Sequence, residues 1–257
     1  MAADAASSSA SEAFWTEQDE QPYWTVPIAH GGSMPWLKVH ERGLLIAMER
    51  AHRLGKTVLL IDTSDDHICD TYFSYQASLV LEAKRMVLDV ATSRKTLSEV
   101  LDECRKHLVN AMRFGQTLYI RLADSACDFS GQFSSAEDFP LDVFDRHAIE
   151  ALHEYREGAG LNLWGSAHPL ASALREEDLS EGVFQPRFSH KARAEDGSVS
   201  GFEVVLCTNF SPDDVATLLS NALPIDKLQP IKPLPSSVRL KYAARPALGD
   251  DTLSYRH

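Results

Sequence analysis

Gly55-Lys56-Thr57 stands directly against the apolar run Val58 to Ile61, so the first chemistry to test is the gripping of a nucleotide phosphate. A phosphate-binding loop of the form GxxxxGK[ST] follows a strand and opens a helix, so that backbone N–H groups and the helix dipole converge on the anion. Both conditions fail here. Five residues before Gly55 stands Arg50 rather than glycine, and Gly-Lys-Thr precedes the strand. The local pattern is instead that of a helix end, with Gly55 as C-cap and Lys56 favourable to the dipole, exposed and away from the carboxyl ends of the strands. The stretch that does follow the strand, Thr63 to Phe73, carries Asp65, Asp66 and Asp70 with neither glycine nor lysine. Three carboxylates repel a triphosphate unless a metal intervenes, and their commoner use is to complement a helix N-terminus. Asp62, at the strand end, invites comparison with an aspartyl phosphotransferase. The residue two further on is Ser64 rather than a second aspartate, which disfavours that chemistry. His67 and Cys69 form the closest His/Cys pair, and no second pair of matching spacing completes a zinc site. No GxSxG occurs, so a nucleophile elbow is absent. The histidines read as surface or satisfied side chains.

The elements around these residues alternate. His40 to Leu54 places Leu44, Ala47, Met48, Ala51 and Leu54 on one helical face. A buried-type strand follows at 57–62. Further strands are expected at 84–90, 117–122 and 202–208, with helices at 95–115, 145–157 and from Ser211, where Ser211 is an N-cap and Pro212 occupies the first turn. Strand, helix, strand in succession implies parallel pairing, and the expected fold is a doubly wound α/β sheet with helices on both faces. Residues 158–200 lose the pattern and read as an insertion or long loop, with the pattern of a hairpin through Val183 to Ala192. Pro230, Pro233 and Pro235 argue for a surface-tracking tail after Pro224. The organisation is then an irregular segment over 1–38, an α/β domain over 39–235 and a tail over 236–257.

The 257 residues, 44% hydrophobic and 24% charged, suit one globular core. A net charge of -12 disfavours nonspecific attraction to nucleic acid or anionic membranes, a local basic patch excepted. No apolar run approaches the roughly 20 residues that span a bilayer, and the start lacks the pattern of a secretory leader, so the expectation is cytoplasmic. The four scattered cysteines fit reduced thiols. Residues 1–38 are acidic and broken by prolines, yet hold Phe14, Trp15, Tyr23, Trp24 and Trp36. Such rings suggest a docking surface for a protein partner, with Trp15, Tyr23, Trp24 and Trp36 as the anchors, or a cover over the domain's own sheet.

Arg85 to Asp124, with its Asn110-Ala111-Met112-Arg113-Phe114-Gly115 turn, resembles the ATP-binding motor region of dynein heavy chains at a late, degenerate AAA module. Gly201 to Val215 resembles that region's later strand and its polar end, and Val58 to Asp62 its first strand. The likeness covers Val58 to Asn221 with gaps, and a fainter one extends to a domain of IQ-motif and ankyrin-repeat proteins. What the resemblance implies is an AAA-like P-loop NTPase fold with a degenerate nucleotide site. Its phosphate loop would lie at Thr63 to Asp70, its second acidic strand end near Leu122 to Ser125, where Asp124 has no neighbouring glutamate, and its polar sensor at Thr208 or Asn209. Without the grip and the glutamate, Mg²⁺, γ-phosphate and water cannot readily be oriented together.

Two readings stand. The first is a non-catalytic, dynein-related module for protein interaction, a pseudo-ATPase without cofactor in a cytoskeletal, ciliary or flagellar assembly, whose vestigial pocket comprises Asp62, Asp65, Asp66, Asp124, Thr208 and Asn209. The second is a cryptic binder of ATP or GTP with magnesium, or a weak phosphohydrolase, using Asp62, Asp66 and Asp124.

Overall fold

The computed structural model describes residues 25–27, 33–35, 37–40, 44–188 and 201–234. Two short strands, β1 (Thr25–Pro27) and β2 (Ser33–Pro35), pair antiparallel by themselves. The main sheet comprises β3 (Leu37–His40), β4 (Thr57–Ile61), β5 (Ser78–Glu82), β6 (Thr117–Ala123), β7 (Glu203–Thr208) and β8 (Leu228–Leu234). Their spatial order is β3-β8-β4-β7-β6-β5, and every pairing is parallel.

β4 is buried along its whole length, as an apolar run in a parallel sheet should be when both faces are covered. Its side chains alternate between two cores. Val58 and Leu60 meet α1 (Leu44–Arg53), through Leu44, Ala47, Met48 and Ala51, and α2 (Ile68–Ser74), through Cys69 and Phe73. Leu59 and Ile61 join the larger core with α3 (Ala83–Ala91) and α4 (Leu97–Phe114). The molecule is therefore a doubly wound α/β fold.

α4 is delimited by its own sequence. Thr96 accepts the Glu99 N–H while the Glu99 carboxylate takes the Thr96 N–H, a capping box, and Gly115 ends the helix at φ 61°. A Cβ at Gly115 would lie 2.5 Å from the carbonyl oxygen of Arg187, so glycine is required both by the backbone and by the close approach.

Three expectations need correction. Residues 84–90 are helical, in α3; the strand is the preceding Ser78–Glu82. Ala83, Met86, Val87 and Val90 face the core at helical spacing, and this period outweighs the β-branched valines. Second, residues 225–234 are no surface tail, because β8 lies inside the sheet between β3 and β4; Pro235 and the residues after it lie outside the described residues. Pro230 pairs only with β4, before β3 joins at Ile231, and Pro233 pairs only with β3, after the β4 pairing ends at Ile231. Each proline thus has a neighbouring strand on one side only, which is where a missing N–H is tolerated. Third, Lys56 is half-buried rather than exposed, with its ammonium donating to the carbonyl of Asp226.

Residues 158–188 carry no long element but are far from a free loop. Leu163, Leu170, Ala173, Leu174 and Phe184 are buried in the larger core. The fully buried Arg105 of α4 clamps this layer, bonding Asp178 at 2.5 Å and Glu177 at 2.9 Å across the layers, with Asp102 at 3.1 Å on its own helix. No strand forms over 184–188, and the remainder of the expected hairpin lies outside the described residues.

Candidate functional site

All carboxyl ends of the parallel strands point one way. β4 continues to β5 on one side of it and β7 continues to β8 on the other, so the crevice between the ends of β4 and β7 is the topological switch point, where ligands of open α/β sheets bind. Asp62 follows β4 there, and Thr208 and Asn209 close β7.

The loop after β4 is folded on itself. The Asp62 side chain is 1% exposed, and its Oδ1 accepts the Ser64 N–H at 3.0 Å and the Ser64 hydroxyl at 2.5 Å. Its Oδ2 accepts the Cys69 N–H at 2.8 Å, while Ser64 Oγ accepts the Ile68 N–H at 3.2 Å. The first amides of α2 are thus already satisfied by side chains of the preceding loop. His67 turns the chain into α2 at φ 46°. The donor positions that a phosphate needs at a helix N-terminus are filled by an internal carboxylate and hydroxyl.

Thr208 and Asn209 act as a staple. Asp62 N–H donates to the Thr208 carbonyl and Asn209 Nδ2 to the Asp62 carbonyl, each at 2.9 Å. On the other side Thr208 Oγ1 and the Asn209 N–H both donate to the Ala123 carbonyl, at 3.0 and 2.8 Å. The ends of β4, β7 and β6 are joined in this way.

The remaining expected residues do not converge. Asp65, Asp66 and His67 are exposed on the loop, and Asp70 faces β6, accepting from Tyr119 Oη at 2.8 Å and pairing with Arg121 at 2.9 Å. Asp124 is exposed and bonded to Lys84 at 2.5 Å, and that ammonium holds its carboxyl below the ordinary range. Among the described residues no three His, Cys, Asp or Glu side chains are grouped so as to hold a metal ion. Trp15, Tyr23, Trp24 and Trp36 lie outside the described residues.

Lys56 is at the other end of the sheet, before β4, and Gly55 adopts φ 68° at the end of α1, with the Lys56 N–H returning to the Ala51 carbonyl at 3.0 Å. Gly-Lys-Thr is therefore a helix terminus. Beside it lies a polar cluster that no spacing in the sequence assembles. His52 Nε2 stands 3.8 Å from Glu203 Oε2, and Glu203 Oε1 accepts the Thr117 hydroxyl at 2.8 Å. Burial, assisted by the Arg146 guanidinium, lowers the His52 pKa to about 3, while burial raises that of Glu203. His52 is neutral at physiological pH, and 3.8 Å exceeds a hydrogen bond, so this contact is no ion pair.

A second grouping not expected from the sequence lies at the far carboxyl corner. Lys84, Arg85, Arg94 and Lys95 surround an open basin of about 570 Å³ at the end of β5. Its signal in the sequence is two basic pairs bracketing the apolar run of α3.

Compared with protein-family models, with curated proteins and with solved structures, the chain finds no match. The class that fold and site define is thus a doubly wound α/β protein whose switch-point loop is closed by its own side chains. No helix among the described residues is long and apolar enough to cross a membrane.

Proposed function

We propose that this chain is a non-catalytic module of AAA-like P-loop ancestry, dynein-related by its resemblance over Val58 to Asn221, that acts in protein interaction or as a structural component. The observation that carries the reading is the Asp62 carboxylate, which accepts the amides of Ser64 and Cys69 where a bound phosphate would have to sit. An anion entering this position must displace a buried carboxylate of its own sign, with no lysine or arginine from Asp62 to Asp70 to compensate it. Asp124 is neutralised by Lys84, so a second magnesium-binding carboxylate is not free at the neighbouring strand end either. A fold that retains the sheet and the strand-end staple without the grip has the properties of a scaffold. By analogy with the resembled region, the setting is a cytoplasmic cytoskeletal, ciliary or flagellar assembly.

Thermal melting in the presence of Mg²⁺-ATP and Mg²⁺-GTP tests the reading. A specific ligand raises stability by about 2.7 kcal/mol at 100 times its Kd. The expected outcome is an unchanged melting temperature at millimolar nucleotide and no phosphate release; a saturable increase with either nucleotide contradicts it.

A further inference from the structure

The sheet has one edge whose open backbone groups can be traced residue by residue. Among the described residues β5 is terminal and hydrogen-bonded to β6 alone, in parallel. The Thr117 N–H donates to the Ala77 carbonyl at 3.1 Å, and in a strand each residue points its N–H and C=O to one side. Ala77, Leu79 and Leu81 therefore face β6, while Ser78, Val80 and Glu82 face outward. At either end one outward group is already used. The Ser78 N–H donates to the Gln76 carbonyl at 2.8 Å, and the Glu82 carbonyl, at the N-cap of α3, accepts the first bond of that helix. What stays open is the carbonyl of Ser78, both groups of Val80 and the amide of Glu82.

This set is its own complement. About a two-fold axis through Val80, antiparallel pairing sets Val80 opposite Val80 of a second copy and Ser78 opposite its Glu82. The Val80 amide then meets the Val80 carbonyl and the Glu82 amide the Ser78 carbonyl, in both directions, and no open group is left over. A longer foreign strand runs past the ends, where Gln76 and α3 have closed the edge, with only water to receive its backbone. The side chains agree with this register: Val80, 40% exposed, meets its own copy as a β-branched pair, and Ser78 opposite Glu82 brings no like charges together. Lysine, proline and bulges, the common devices that blunt an edge, are absent from Ser78–Glu82.

Charge favours the same place. At net charge -12 two copies repel in general, so contact of like with like needs a neutral patch. Glu82, the strand's single charge, is paired with Arg121 at 3.2 Å, and Lys84, Arg85 and Lys95 beyond it are held by Asp124, Asp89 and Glu103.

We infer that β5 is the surface through which two copies of this chain associate, as antiparallel edge strands about a two-fold axis at Val80 that joins the two sheets into one. The contact is isologous. So short an edge buries little area, which makes the association weak and dependent on concentration. It stands apart from the switch point, and its failure leaves the nucleotide test untouched.

Sedimentation velocity of the full chain from about 10 µM to about 1 mM, the range of weak complexes, tests the inference. The expected result is a reversible equilibrium of monomer and dimer. Hydrogen exchange should slow on dimerisation at the Val80 and Glu82 amides and stay unchanged at Leu79 and Leu81, which β6 already holds. Val80→Pro removes an outward amide that β6 does not use, so it should melt as the parent does and weaken association by about tenfold or more. Val80→Lys and Val80→Glu should each abolish dimers through like charges at the axis, and a mixture of the two should restore them as heterodimers. A chain monomeric throughout the range overturns the inference, as do dimers that survive Val80→Pro or a mixture of the charged variants that stays monomeric. Val80 and Glu82 amides already protected in dilute monomer also overturn it, because another segment of the same chain then covers the edge.

Discussion

Lys56 and His52 sit four residues apart at the amino end of the sheet, and both owe their behaviour to that position rather than to their type. Lys56 donates to the Asp226 carbonyl on the far side of the molecule from the strand ends, so Lys56→Ala should leave any nucleotide response unchanged; in a true phosphate loop the same change removes the lysine that reaches the β- and γ-phosphates. A nucleotide-dependent melting shift present in the parent and lost in the variant would contradict the assignment. His52 makes a pH prediction. Its folded-state pKa, about 3, lies below the ordinary 6.5, so the unfolded chain binds the extra proton first. The neutral side chain therefore contributes stability fully present above about pH 6.5 and lost progressively as pH falls toward 3. Glu203 has the opposite sign, being raised, and its preference for the proton opposes part of that loss at the acid end. Arg146 and Tyr72 face the same cluster. His52→Gln should flatten the denaturant midpoint between pH 6.5 and 4 relative to the parent, by an amount on the order of a few kcal/mol. An unchanged slope in the variant would show that His52 protonates freely in the fold.

At the scale of elements, the signals that were readable are those that act locally. The helix expected at 95–115 is α4, which the structure shows delimited by the Thr96/Glu99 capping box and Gly115, and β4, β6 and β7 declare themselves as short apolar runs. Gly115→Ala should destabilise the domain by about 1–3 kcal/mol, since it adds both a left-handed strain and a contact with Arg187, and denaturant unfolding measures it. What escaped is tertiary. α3 has two valines and only nine residues, so its helical period shows only once Ala83 is known to start it. β8 carries prolines that exclude it from a sheet unless one knows which neighbour each residue lacks. The layer over 158–188 is held by Arg105, whose partners lie about seventy residues away in sequence. Arg105→Ala should cost about 3 kcal/mol, leaving Asp178 half-satisfied, and should open residues 158–188 to limited proteolysis. A variant as stable and as resistant as the parent would remove Arg105 from that role.

For the whole molecule, the sheet topology brings three polar strand ends together and then closes them with the chain's own groups. The sequence assigns the helix-capping use to Asp65, Asp66 and Asp70, whereas the structure gives it to Asp62, the residue nearest the strand, through the return of the Cys69 amide, which no spacing rule supplies. Asp65 and Asp66 were grouped with Asp62 by their place in the loop and Asp124 by the resemblance, and the fold leaves all three on the surface. The most direct measurement is equilibrium unfolding of Asp62→Ala beside the parent, each with and without Mg²⁺-ATP. If the Asp62 carboxylate fills the phosphate position, the variant is less stable by about 1–3 kcal/mol through the orphaned Ser64 and Cys69 amides, and neither protein responds to nucleotide. A variant of parental stability, or a parent stabilised saturably by Mg²⁺-ATP, would contradict the account.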